Sequence, residues 1–310
     1  MIETFLQELP HGITLSCRAA GAHGRPVLMF LHGFPEAAFV WDPLLEHFSL
    51  PAHGGYRCVA PNLRGFERSS APAEVSAYRP KHLVQDIAAL TQLQTQARDG
   101  QTSSGVLACL VAHDWGGAVA WNLANQKPEL ASRLAIINSP HPGTFLRELK
   151  HNPRQQAASA YMNFLIRPDA EHLLAQDDFR RMWRFLTEGE SGSLSTPWLT
   201  EDIKALYREV WNQGLTGGCN YYRASPLRPP WGDDPGAMAV DLPHSMLTVD
   251  LPTLLVWAMK DVALLPELVD GLDAYVKHLA VASVADASHW IVHEQPQKVI
   301  QLLADFLCQP

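Results

Sequence analysis

The chain has 310 residues, 47% of them hydrophobic and 18% charged, and a formal net charge of -8. That is the make-up of a soluble globular protein with room for one large α/β domain, or for a domain that carries an insertion. No Lys/Arg-rich block stands out, which argues against nucleic acid as a partner, and no apolar stretch approaches the roughly 18 residues of a membrane span. The N-terminus, MIETFLQELPHG, has neither a basic nor a long apolar segment, so no secretory signal is expected. Five scattered cysteines without a CxxC pair read as reduced thiols of a cytoplasmic protein, with Cys58 and Cys109 packed as small apolar residues.

Short apolar runs alternate with longer helical patterns along the chain. VLMFL at 27–31 runs into His32-Gly33-Phe34-Pro35, and a weaker run at 58–60 ends at Pro61. Leu83, Val84, Ile87 and Leu90 recur at helical spacing. VLACLVA at 106–112 is the clearest strand candidate, and a helix is expected over 118–130, disturbed by Pro128. Further runs follow at 134–137, 253–257 and 281–284. Runs of this length bounded by Gly, Pro or Asn suit fully buried parallel strands. The alternation predicts an α/β fold with a mostly parallel sheet and helices on both faces.

Between about 139 and 245 the strand pattern lapses. Helical patterns cover 155–166, 170–186 and 201–214, then a Pro/Gly/Trp-rich stretch runs from 225 to 236. The economical division is a core of 1–138 and 246–310 with a helical cap at 139–245, after the sixth core strand. Such a cap sits over the carboxyl ends of the strands, the edge where open α/β sheets bind ligands.

VAHDWGG follows the strongest strand and opens a helix. Ala112-His113-Asp114-Trp115-Gly116 has the small-x-acid-x-small form of a nucleophile elbow, a turn usually built around Ser. Asp is also a favoured N-cap, so this segment alone leaves both readings standing. In hydrolases of this architecture the loop after the third strand and the residue after the nucleophile supply oxyanion N–H groups, here those of Phe34 and Trp115. Asp261 lies just past the 253–257 strand and His289 past the 281–284 strand, so nucleophile, acid and histidine come in the order expected for such a fold. His289 and His293 are also spaced like a metal pair, but no acid stands between them in an H-E-x-x-H arrangement, and no metal is expected. Neither a G-x-G-x-x-G nor a phosphate-loop motif is present, so no nucleotide cofactor is expected.

HGFP, the Arg64-Gly65-Phe66 turn, HDWGG and SHW together resemble the epoxide hydrolase and haloalkane dehalogenase branch of the α/β-hydrolase superfamily, over essentially the whole chain. The resemblance implies that Asp114 attacks an sp³ carbon to form an alkyl-enzyme ester. His289, held by Asp261, then activates water to hydrolyse it. It also implies two cap tyrosines that protonate an epoxide oxygen. Asn220-Tyr221-Tyr222-Arg223 matches one motif and points to Tyr222. The other tyrosine is expected four residues before Pro168, where this chain has Phe164. Tyr161, three residues earlier on about the same helix face, is the substitute. His32, Pro35, Phe164 and Trp290 are expected to line the pocket.

The leading expectation is an epoxide hydrolase without cofactors, acting with water on a small, neutral, apolar epoxide. A haloalkane dehalogenase is the alternative. Trp115 suits a halide, but Phe34 replaces the Asn that would be a second donor, and the facing of Trp183, Trp198, Trp211 and Trp231 is not legible. Trp115 in place of Arg argues against a charged haloacid. A ligand-binding receptor on the same fold is a third reading, and a homodimer is compatible with the sequence.

Overall fold

The structure is a computed structural model that describes residues 1–96, 105–187 and 196–309. Eight strands form one sheet in the order β1-β2-β4-β3-β5-β6-β7-β8. They are β1 (Glu3–Glu8), β2 (Thr14–Ala20), β3 (Val27–Leu31), β4 (Arg57–Pro61), β5 (Cys109–His113), β6 (Leu134–Ile137), β7 (Thr253–Ala258) and β8 (Leu279–Val284). β2 pairs antiparallel with β1 and β4, and every other pair is parallel. The expected α/β fold is therefore present, with an N-terminal antiparallel hairpin added. That hairpin was not expected, because β1 (ETFLQE) is a half-exposed edge strand rich in polar residues.

β3 to β7 are buried at every position, so both faces of the sheet are covered. α1 (Asp42–Ser49), α2 (Pro80–Thr95) and α3 (Asp114–Gln126) follow β3, β4 and β5. α2 packs with α3, and α1 packs with the C-terminal helix, giving two covering layers. α3 begins at Asp114 itself and ends before Pro128, earlier at both ends than the expected 118–130.

Between β6 and β7 lie only helices, short helical turns and irregular segments among the described residues: α4 (Pro142–His151), α5 (Pro153–Ala158), α6 (Tyr161–Leu165), α7 (Ala170–Thr187), α8 (Glu201–Asn212) and α9 (Thr216–Ala224). The continuous helix expected over 155–166 is two short ones, parted at Ser159 and Ala160. The buried Gln155 amide bonds Ser159 Oγ at 2.8 Å and Ala263 O at 2.8 Å, and its oxygen accepts from Leu265 N at 3.0 Å. This side chain ties the helical segment to the loop after β7. α7 is broken at Gln176–Phe179, where Asp177, Asp178 and Phe179 take φ of 54°, 52° and 58°. Residues 97–104 and 188–195, inside the two expected spans, lie outside the described residues. α10 (Ile291–Glu294) and α11 (Pro296–Leu307) end the chain. No helix among the described residues is long and apolar enough to cross a membrane. Cys58 and Cys109 are buried, and both thiols are pushed up to about 12 by desolvation.

Candidate active site

The carboxyl ends of β3, β5, β6, β7 and β8 lie along one edge of the sheet and bring the chemistry-bearing residues together. β5 passes directly into α3 at Asp114, which takes φ +49°, a left-handed conformation that non-glycine residues rarely adopt. The turn closes only because Gly116 carries no side chain: a Cβ there would sit 2.5 Å from the carbonyl oxygens of Leu31 and His32. The strained turn lifts the carboxylate above the sheet. Ser139, after β6, braces it by donating to Asp114 O at 2.7 Å.

Phe34 N donates to Asp114 Oδ1 at 2.7 Å, and the Trp115 N–H adds a favourable field at this carboxylate. These are the two backbone donors expected from the sequence. Asp114 Oδ2 faces His289 Nε2 at 3.7 Å. His289 Nδ1 donates to Asp261 Oδ2 at 2.6 Å. Asp261 is further held by Asn138 Nδ2 at 2.8 Å and by Ala263 N and Leu264 N at 2.9 Å each. The three residues chosen from chain order thus meet in one array. Asn138 was missed: it is the residue after β6, and its Oδ1 accepts from Ala258 N at 2.9 Å, locking β6 to β7 where the acid emerges.

Charge sets the state of this array. Burial works to raise Asp261, but the His289 charge and hydrogen bond, the Asn138 amide and Leu264 N–H outweigh it and hold the carboxyl below the usual range. Burial also works against protonating His289, yet Asp261, Asp114 and Glu36 together raise it to about 9. Burial raises Asp114, and the positive field of His289 and His113 with the two N–H groups only partly opposes this. The charges of Asp114 and His289 are thus coupled: each favours the ionised form of the other against burial.

A buried polar cluster lies behind His289. Glu36 Oε2 meets His113 Nδ1 at 3.0 Å, and Glu36 Oε1 meets His293 Nε2 at 3.0 Å and Tyr207 OH at 3.3 Å. His113 Nε2 in turn bonds the His289 carbonyl at 3.0 Å. Burial opposes the Glu36 charge, but the two histidines win and hold its carboxyl well below the ordinary range. His293, weighed from spacing as a metal partner of His289, thus engages Glu36 and Tyr207 and stacks on Trp198 at 4.3 Å. The sequence signal was the Glu after HGFP and the His before Asp114, both inside motifs already noted.

The helical segment closes the other side. Tyr222 on α9 lies edge-on to Phe34 at 5.4 Å and to Trp115 at 5.0 Å. Tyr161 on α6 lies 6.0 Å from Tyr222, ring to ring, and the two hydroxyls interact. Burial pushes both phenols above their ordinary value, and the Asp114 charge adds to this. The site of α9 is set by glycine: the Arg64-Gly65-Phe66 turn, with Gly65 at φ +87°, meets Gly217 so closely that a Cβ on Gly217 would lie 2.2 Å from Gly65 O. Tyr221 OH then donates to Arg64 O at 3.0 Å.

Four pocket expectations fare differently. Trp290 lines a cavity at Asp114. His32, Pro35 and Phe164 line neither cavity there. His32 is fully buried, accepting from Leu63 N at 3.0 Å and meeting Gly33 O at 2.9 Å, so it shapes the loop from behind. The Pro35 carbonyl accepts from Trp211 Nε1 at 2.8 Å. Phe164 points away, with the guanidinium groups of Arg167 and Arg181 at 5.9 and 6.0 Å from its ring. Of the two α6 residues, Tyr161 and not Phe164 lines the cavities at Asp114. Trp183, Trp198, Trp211 and Trp231 line neither cavity at Asp114.

Comparison with known proteins agrees with this architecture. Residues 26–296 match the family model for the alpha/beta hydrolase fold. The chain is 33% identical to the AB hydrolase superfamily protein YfhM of Bacillus subtilis (strain 168), over 96% of this chain and 95% of that one. It is 32% identical to Epoxide hydrolase 4 of Mus musculus, over 96% and 77%. Among solved structures it is similar to a Bacillus megaterium epoxide hydrolase in complex with an inhibitor, with a TM-score of 0.83, 28% identity, and coverage of 98% and 100%. The chain belongs to the α/β-hydrolase family, in its epoxide hydrolase branch.

Proposed function

We propose that this protein hydrolyses apolar epoxides to diols through an ester on Asp114, beneath a helical cap of residues 139–245. The observation that carries this reading is the pair of phenols, half-buried Tyr161 and buried Tyr222, facing the carboxylate across one cavity. An epoxide oxygen leaves as an alkoxide and needs a proton; a halide does not.

The geometry divides the carboxylate's two oxygens. Oδ1 is held by Phe34 N at 2.7 Å, which leaves Oδ2 to attack carbon. As the carbon–oxygen bond forms, the epoxide C–O bond breaks and a tyrosine gives its proton to the alkoxide. Water then adds to the Asp114 carboxyl carbon, His289 Nε2 takes its proton, and charge collects on Oδ1, where the backbone N–H groups oppose it. Breaking the ester bond releases the diol, whose leaving oxygen takes the proton still on the added hydroxyl, so that Asp114 is a carboxylate again, and the proton on His289 replaces the one the tyrosine gave up. The electrostatics support this order. Alkylation removes the Asp114 charge, one of the influences that raise His289 to about 9, so the histidine becomes a readier base once the ester exists. Water and a neutral apolar substrate are then the only reactants.

The test is incubation with aryl and alkyl epoxides and with haloalkanes, measuring diol and halide. Diol without halide is expected, and halide without diol sinks the reading. With epoxide, His289→Gln is expected to accumulate a mass increase located on Asp114; turnover with no such adduct would remove Asp114 from its role.

A further inference from the structure

Two cavities meet at Asp114, and they are unequal. Asp114, Tyr161 and Tyr222 line both. One measures about 690 Å³ and continues over Trp115, Phe145, Met162 and Leu227. That lies within the usual ~300–1,000 Å³ of a small-molecule site. The other measures about 60 Å³ and continues past Phe185, Ser288 and Trp290. His289 and Asp261 line the small cavity and not the large one. The nucleophile and the phenols therefore face both spaces, while the base faces only the small one.

We propose that the small cavity is a water chamber serving His289, closed to substrate, so that the enzyme is selective for epoxides carrying their bulk on one ring carbon. This rests on the epoxide reading above. Its volume of about 60 Å³ holds on the order of two to four waters. The Ser288 hydroxyl and the Lys260 ammonium at its wall are suitable partners for water. An epoxide held between Asp114 and the two phenols projects the substituents of its two carbons in different directions. The chain on one carbon enters the large cavity. A chain on the other would have to enter the small one, where it would displace the water His289 must activate. A second long substituent is thus excluded twice, by volume and by the need for that water. A short alkyl group of about two carbons is the most that the small side accommodates.

Phe185 is an apolar side chain in the chamber wall. Its ring stands edge-on to Tyr161 at 5.1 Å. The experiment compares isomeric epoxides of equal carbon number, 1,2-epoxydecane and trans-5,6-epoxydecane, by kcat/KM for diol formation. A preference of at least about tenfold for the terminal isomer is expected, the scale on which a misfitting hydrocarbon is rejected. Phe185→Ala should narrow that preference by admitting the internal isomer. Phe185→Trp, which fills the chamber, should leave ester formation from the terminal isomer intact and slow ester hydrolysis, so that the Asp114 adduct accumulates in the intact mass. The measurement on the unaltered protein keeps the inference testable should either variant fail to fold. Equal turnover of the two isomers overturns it, as does a Phe185→Trp protein that shows neither slower hydrolysis nor adduct. Absence of diol and adduct from both isomers overturns the epoxide reading itself, and this inference with it.

Discussion

The two sides of Asp114 are built by different physics. On the sheet side, Asp261, His289 and Asn138 are held by short hydrogen bonds of 2.6 and 2.8 Å between groups fixed to strand ends. Each bond is buried, so each is worth more than in water and costs more to break. On the helical side, Tyr161 and Tyr222 are held by aromatic edges at 5 to 6 Å and by the close passage of Gly217 over Gly65. Such packing is less directional and tolerates more adjustment. The sheet side therefore fixes what the carboxylate and imidazole can do. On the function proposed above, the helical side selects the leaving group and the substrate shape.

The comparison predicts a graded response. Asp114→Ala should abolish diol formation, a loss of order 10⁴-fold or more in kcat, because no other group can form the ester. Steady-state assay with intact-mass analysis checks this; retained turnover would move the nucleophile elsewhere. On the other side, Tyr222→Phe and Tyr161→Phe should each lower kcat by about 10-fold to 100-fold, and the double variant by more, toward the 10² to 10⁴ typical of a general acid. If both single variants keep full activity, the pair is packing and not proton donation.

pH separates the two sides further. The folded His289 pKa, about 9, lies above its ordinary 6.5, so its charge stabilises the fold fully below about pH 6.5 and is lost as pH rises through 9. The melting temperature should therefore fall between pH 7 and pH 9.5, and His289→Gln should flatten that part of the curve. A curve of the same slope in both proteins would assign the loss to other groups. The smallest effect is expected for Phe164→Tyr. Since Phe164 points to Arg167 and Arg181, the added hydroxyl should leave epoxide turnover unchanged within about twofold. A clear gain would mean that position 164 reaches the site.

Local signals in the chain carried the sheet side. Buried strands announce themselves as short apolar runs, and the turn residues after them mark strand ends, so Asp114, Asp261 and His289 could be placed on one edge from spacing and order. The same logic failed where the local signal is weak or misleading. β1 alternates polar residues on an exposed edge, and α9 reads TGGCNYYRA, with two glycines that helix propensity disfavours. There, contact with the Gly65 turn outweighs propensity.

What the sequence by itself determined is the placement of Asp114, Asp261 and His289 at strand ends along one edge, and their order, because turn chemistry and strand periodicity act over a few residues. What only the tertiary structure decided is the far side of the site. That Tyr161 lines the cavity at Asp114 while Phe164 lies against Arg167 and Arg181 depends on how α6 is seated among its neighbours. The division of the space above Asp114 into about 690 and 60 Å³ depends on side chains drawn from separate parts of the chain. Such distances are set by packing between elements far apart in sequence, and no local pattern encodes them.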